Sequence, residues 1–81
     1  SVDFFEKNAP AEIQELFSRN ELIQKFAEKK YLLSSPELTN LLGEENHFKI
    51  KKYSPFEWRN WILIPKGEKY WIIEKKNPDF L

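Results

Sequence analysis

The segment Leu33-Ser-Ser-Pro-Glu-Leu-Thr-Asn-Leu-Leu-Gly43 determines the architecture that we expect for this 81-residue chain. Ser35 is a favourable N-cap, Pro36 suits the first helical position, and Glu37 places an acid in the first turn. Three leucines then recur at helical spacing, and Gly43 suits a left-handed helix terminus. The segment therefore predicts a short helix over 36–42.

Upstream of this segment the apolar residues also follow a helical period. Residues 1–9 are expected to be a lead-in, and Pro10 suits a first helical turn. One apolar set lies over 13–17 and a second over 22–27, but the two sets fall on different faces. A break at Ser18–Asn20, with Asn20 as N-cap, explains the offset, and one long helix is the alternative. The apolar run over 31–33 predicts a small strand.

Residues 44–53 fit two structures. As a helix, Ile50 and Tyr53 share an inner face while His47, Lys51 and Lys52 point outward. As a strand, Phe48 and Ile50 face one way and the intervening lysines the other. Pro55 ends either element, because the residue before a proline resists the helical conformation.

The last third of the chain predicts a β-hairpin. Residues 56–64 and 70–74 are rich in aromatic and β-branched types, which favour strands. Residues 65–67 predict a type I turn with Gly67 at positive φ. Alternation along the first strand makes both of its faces apolar, so one face needs cover from the N-terminal helix, a dimer mate or a partner. The sequence thus predicts one α+β domain over 1–81, with N-terminal helices followed by a C-terminal hairpin.

Composition limits the classes of function. Thirteen basic and thirteen acidic residues give no net charge, but residues 1–46 carry a balance of −4 and residues 47–81 a balance of +4, which is compatible with one basic face. The longest apolar run is far short of the ~20 residues of a transmembrane helix, so no membrane contact is expected. Without cysteine there is neither a disulfide nor a thiolate metal site, and a cytoplasmic location is the default expectation.

No catalytic site can be assembled from these residues. His47 is the single histidine and has no cysteine nearby, which is a poor signal for metal binding or nucleophilic catalysis. The two glycines are explained as a helix terminus and a turn, so there is no glycine-rich phosphate loop. We therefore expect no enzyme, no metal and no cofactor.

In two features the chain resembles the winged-helix class of helix-turn-helix DNA-binding domains. The first is the order of its elements: helix, short strand, helix, possible helix, hairpin. The second is the capped segment over 35–43, which is similar to the pattern Ser-x-Glu-Leu-x-x-Leu-Leu-Gly. The resemblance covers 20–76, leaving 1–19 as lead-in and extra helix and 77–81 as a tail. It implies that the helix after Gly43 enters the major groove of DNA and that the hairpin is the wing.

The resemblance also implies which residues contact DNA. The nucleic-acid-binding set would be Lys49, Lys51, Lys52, Arg59, Lys66 and Lys69, with His47 beside it. The lysines would mostly neutralise phosphates, and Arg59 is the candidate for bidentate recognition of guanine or phosphate. Glu44 and Glu45 depart from the pattern because they would repel phosphate. The plain alternative is that 47–53 is an ordinary solvated basic stretch.

The rival hypothesis is a protein-interaction or assembly domain. Its contacts would come from a Trp-rich hairpin carrying Trp58, Trp61 and Trp71, or from the helix over 10–19, with a protein partner or a homodimer as the outcome. The simpler interpretation of the tryptophans is that they belong to the core. The DNA hypothesis places the chain in a transcription regulator or in a protein that assembles on nucleic acid.

Overall fold

The computed structural model describes residues 8–76, which form an α+β fold of N-terminal helices followed by C-terminal antiparallel strands. The elements in chain order are α1 (Ala11–Lys29), β1 (Leu33–Ser34), α2 (Ser35–Leu42), a 3₁₀ turn (Glu44–Asn46), α3 (His47–Lys51), β2 (Phe56–Trp58), β3 (Trp61–Lys66) and β4 (Tyr70–Lys75). The predicted fold class is confirmed. The predicted tail over 77–81 and most of the predicted lead-in over 1–9 lie outside the described residues.

The four strands form one antiparallel sheet in the order β1-β4-β3-β2. Leu33 of β1 pairs with Trp71 of β4, and Leu63 of β3 pairs with Ile73 of β4. Because β1 joins β4, the short strand that precedes α2 belongs to the same sheet as the C-terminal strands.

The core lies between one face of this sheet and the three helices. Its buried members come from every layer and are Ile23, Leu33, Leu38, Leu42, Ile50, Leu63, Trp71 and Ile73. Trp71 donates from Nε1 to Ser35 Oγ at 3.0 Å, and the rings of Tyr53 and Phe56 meet its ring nearly edge-on at 5.2 and 5.6 Å. This tryptophan joins the sheet to α2.

Helix α2 begins one residue earlier than predicted. Its N-cap is Ser34, whose Oγ accepts from the Glu37 backbone N–H at 3.2 Å while the Glu37 carboxylate accepts from the Ser34 N–H at 2.8 Å. This capping box needs a three-residue spacing between cap and acid, which Ser34 provides and Ser35 does not. Gly43 has the expected positive φ, 109°, but its ψ of 151° is not that of a left-handed helix.

Helix α1 is continuous, so the predicted break at Ser18–Asn20 is wrong and the single-helix alternative is confirmed. Neither glycine nor proline interrupts this stretch, and the side chain of Asn20 donates to the Leu16 carbonyl oxygen at 2.9 Å instead of capping a new helix. The offset of the two apolar sets has another cause: Ile23 is buried in the core, whereas Ile13 and Phe17 are partly exposed. Pro10 is the N-cap residue, one position before the predicted first turn.

The ambiguous stretch after Gly43 is helical, since the 3₁₀ turn leads directly into α3. Ile50 is buried and His47, Lys51 and Lys52 are exposed, as the helical alternative requires. The small strand predicted over 31–33 is shifted to Leu33–Ser34.

The C-terminal region contains one strand more than predicted. Residues 56–64 are divided by a tight turn at Arg59 and Asn60, where Arg59 has a φ of 56°, so β2 and β3 form a hairpin of their own. Strand β3 continues to Lys66, and the turn to β4 therefore occupies 67–69. Gly67 has the predicted positive φ, 65°. None of the helices within 8–76 has the length and apolar character needed to cross a membrane.

Candidate nucleic-acid interface

Helix α3 presents lysines outward because its inner side is fixed to the core. Ile50 is buried, and the buried side chain of Asn46 donates from Nδ2 to the Leu42 carbonyl oxygen at 3.2 Å. With the inner side fixed, Lys51 and Lys52 remain exposed on the outer side. Two of the predicted phosphate contacts are therefore presented from a short element packed on the core.

Lys49 is exposed on the side of α3 that faces the sheet. Its Nζ lies 5.9 Å from the centroid of the Phe56 ring in β2, within the range of a cation–π contact. Such a contact at an exposed site is weak, about 0.5–1 kcal/mol, so it leaves the ammonium group accessible to an anion.

The next two lysines of the predicted site lie at the β3–β4 turn. Lys66 is the last residue of β3, Lys69 is the last residue of the turn, and both are exposed. Tyr53, which directly follows Lys52, joins this turn to the end of α3. Its hydroxyl oxygen lies 3.2 Å from the Lys66 carbonyl oxygen and 2.9 Å from that of Gly67. The structure thus brings the backbone of this turn next to the end of α3. We call Lys49, Lys51, Lys52, Lys66 and Lys69 the basic surface.

Arg59 lies apart from the lysine-bearing turn. It sits in the β2–β3 turn, at the opposite end of β3 from Lys66, and five residue steps along a strand correspond to about 17 Å. Its guanidinium carbon is 4.8 Å from the centroid of the Trp58 ring. The structure therefore does not bring Arg59 together with Lys66 and Lys69, and its contact with DNA stays a prediction.

Three glutamates, Glu44, Glu45 and Glu68, border the basic surface. The Glu45 carboxylate folds back over Gly43, so closely that a Cβ on this glycine would overlap with it. The ion pairs found within 8–76 are Arg19–Glu15 at 3.4 Å and Lys76–Glu57 at 2.9 Å. In that part of the chain, no carboxylate forms an ion pair with a lysine of the basic surface, so the five ammonium groups are not neutralised there.

The three tryptophans differ in what they can contact. Trp71 is fully buried, so it is a core residue and the prediction of a contact face is corrected for it. Trp58 and Trp61 are half-buried and pack against the core, which leaves part of each ring exposed. Of the three tryptophans predicted to contact a partner, Trp58 and Trp61 are partly exposed, and both lie near the β2–β3 turn.

Sequence reasoning missed two aromatic residues at this surface. Phe48 is 77% exposed on the outer side of α3, next to His47, whose ring centroid is 6.2 Å from that of Phe48. The helical alternative could have placed it outward, since it lies two positions from the inward Ile50. The contact of Tyr53 with the β3–β4 turn bridges 14 residues and carries no sequence signal.

The described residues contain no group of three His, Cys, Asp or Glu side chains that could hold a metal ion. The chain's similarity to other proteins gives no further guide to this surface. No family model, no curated protein and no solved structure matches this chain.

Proposed function

We propose that this chain is a winged-helix type module that binds double-stranded DNA, within a regulator or a protein that assembles on nucleic acid. The element order supports this proposal: α1, β1, α2 and α3 are followed by the short strand β2 and then by the β3–β4 hairpin, and β1 pairs with β4. In this arrangement α3 takes the position of the recognition helix and the β3–β4 turn that of the wing.

The observation that carries the proposal is the basic surface itself. Five exposed lysines come from α3, the residues after it and the β3–β4 turn, and Tyr53 holds these two regions together. Lysine ammonium groups neutralise phosphates and release bound counterions, which favours binding to DNA of any sequence. A chain with no net charge can bind DNA in this way where several lysines are exposed and form no ion pair within 8–76.

The same geometry indicates weak sequence specificity. Helix α3 has five residues, and the basic surface contains neither an arginine nor an exposed asparagine, the side chains that most often read guanine and adenine. Phosphate contacts position a protein on DNA without reading its sequence. We therefore propose that contacts with the backbone dominate over contacts with base edges.

The test measures how tightly the purified chain binds two unrelated duplexes of about 20 base pairs. Binding is detected by fluorescence anisotropy at ~50 and ~200 mM salt. Both duplexes should bind at the lower concentration with micromolar dissociation constants, and both should be released as the salt is raised. The absence of any binding at ~50 mM salt would refute the proposed function.

The exposure of Phe48 favours a second candidate, a protein-interaction surface. An aromatic ring that is 77% exposed adds little to folding and is a typical anchor of a protein interface. A contact of this kind should persist at high salt and be lost in Phe48→Ala or Trp58→Ala, whereas DNA binding should be lost in Lys51→Glu. The two candidates can therefore be separated on the same set of variants.

A further inference from the structure

We propose that the Tyr53 hydroxyl is a latch that holds the β3–β4 turn against the end of α3, so that the five lysines act as one binding surface. Tyr53 is in this view a positioning residue that contacts no DNA itself. The part of this inference that concerns DNA rests on the proposed function, whereas the part that concerns the turn does not.

The hydroxyl group is placed among three backbone carbonyl oxygens of the turn region. Its oxygen lies 2.9 Å from those of Gly67 and Tyr70 and 3.2 Å from that of Lys66. A phenol has one hydrogen to donate, so the hydroxyl group bonds with one of these carbonyl oxygens at a time. The other two carbonyl oxygens lie within the same hydrogen-bonding distance and can accept instead. The contact is therefore preserved when the turn shifts slightly.

Tyr53 ends the helical segment in a left-handed conformation and packs its ring against the core. Its φ is 53°, in the left-handed region that non-glycine residues rarely adopt. Such a conformation persists where the surrounding contacts compensate for its strain. The ring packs against the core and meets Trp71 at a centroid distance of 5.2 Å. Ring packing accounts for an aromatic residue here, but a phenylalanine would pack in the same way.

The hydroxyl is therefore explained by the turn. Among the described residues, no strand pairs with 67–69. Apart from Tyr53, the end of the β3–β4 ladder at Lys66 and Tyr70 is what holds this turn. A turn released from Tyr53 would sample more orientations, and fixing Lys66 and Lys69 on a DNA duplex would then cost conformational entropy. When Tyr53 holds the turn, this conformational entropy is lost on folding and not on binding DNA.

The first experiment is Tyr53→Phe, with Tyr31→Phe as the matched control. Tyr31 is exposed, and its hydroxyl forms no hydrogen bond with any residue between 8 and 76. Both variants should keep the fold, as judged by circular dichroism. Amide hydrogen exchange at Lys66 and Tyr70, the last pair of the β3–β4 ladder, should be faster in Tyr53→Phe and unchanged in Tyr31→Phe. Unchanged exchange in Tyr53→Phe would overturn the latch, whether or not the chain binds DNA.

The second experiment measures coupling in DNA binding at low salt. Tyr53→Phe should weaken binding about three- to tenfold, the range expected for one net hydrogen bond. The combined change Lys66→Gln and Lys69→Gln should cost clearly less affinity in the Tyr53→Phe background than in the wild-type background, because the released turn contributes less. A simple loss of stability would not change the effect of these lysines. Additive effects would refute the positioning role, whereas a wild-type chain that binds no DNA would refute the proposed function alone.

Discussion

Replacing Lys51 and Lys52 together by glutamine should change how DNA binding depends on salt, and not only its strength. Both lysines are exposed on the outer side of the helical segment, and neither forms an ion pair within 8–76. Glutamine removes the charge without adding a repulsive one. The change in the salt dependence therefore counts phosphate contacts directly.

The expected magnitude follows from the number of lysines on the basic surface. If each of the five neutralises one phosphate, the logarithm of the association constant should fall with the logarithm of salt concentration with a slope of about −4.5. A rise from ~50 to ~200 mM salt then weakens binding about 500-fold. With Lys51 and Lys52 removed, the slope should be about −2.7 and the same rise should weaken binding about 40-fold.

The assay is fluorescence anisotropy with a labelled duplex at several salt concentrations. The control is Lys25→Gln with Lys29→Gln, which changes the net charge equally on the exposed surface of α1. This control should keep the wild-type slope. Equal slopes for the Lys51/Lys52 variant and the wild type would contradict the reasoning, since the lysines would then contact no phosphate.

Three further predictions concern the fold that supports the basic surface. Ser34→Ala should lower the free energy of unfolding by about 1 kcal/mol in chemical denaturation, because the capping box of α2 is lost, and an unchanged free energy of unfolding would contradict this assignment. Leu38→Ala should cost about 3 kcal/mol in the same assay, since it empties a fully buried site, and a cost below about 1 kcal/mol would show that the site is not core. Gly43→Ala should lower the melting temperature more than Gly67→Ala, because Gly43, with a φ of 109° and a ψ of 151°, lies in a region that almost only glycine adopts. Gly67 has a φ of 65°, which other residues adopt at lower cost, and a Cβ there would meet no atom within 4 Å. The reverse order would contradict the turn geometry.

Local sequence signals predicted much of the fold. The helix over 36–42, the positive φ of Gly67 and the order of helices before strands could all be derived from capping, turn chemistry and residue type. These features depend on neighbours close in the chain. Because these signals are local, the errors in these features are shifts of one or two residues, such as Ser34 in place of Ser35 at the N-cap.

Features that depend on distant parts of the chain could not be derived. The extra turn at Arg59 requires a positive φ, a conformation that arginine does not favour, so the residue type gave no sign of a turn there. This turn places Arg59 at the other end of β3 from Lys66 and Lys69. The exposure of Phe48 and the contact of Tyr53 with the β3–β4 turn are set by how α3 packs on the sheet. Helix α1 remained ambiguous because burial of Ile23 and exposure of Ile13 give the same apolar pattern as a break.

The proposed function requires that α3 and the β3–β4 turn form one surface that contacts DNA phosphates. The test is a titration of the isotope-labelled chain with a duplex at low salt, in which the backbone amide chemical shifts are measured by NMR at each step. The largest changes should fall on 47–53 and on 66–70, within the same saturation curve. Changes centred on α1 or on the turn at Arg59, or no changes at all, would contradict the claim.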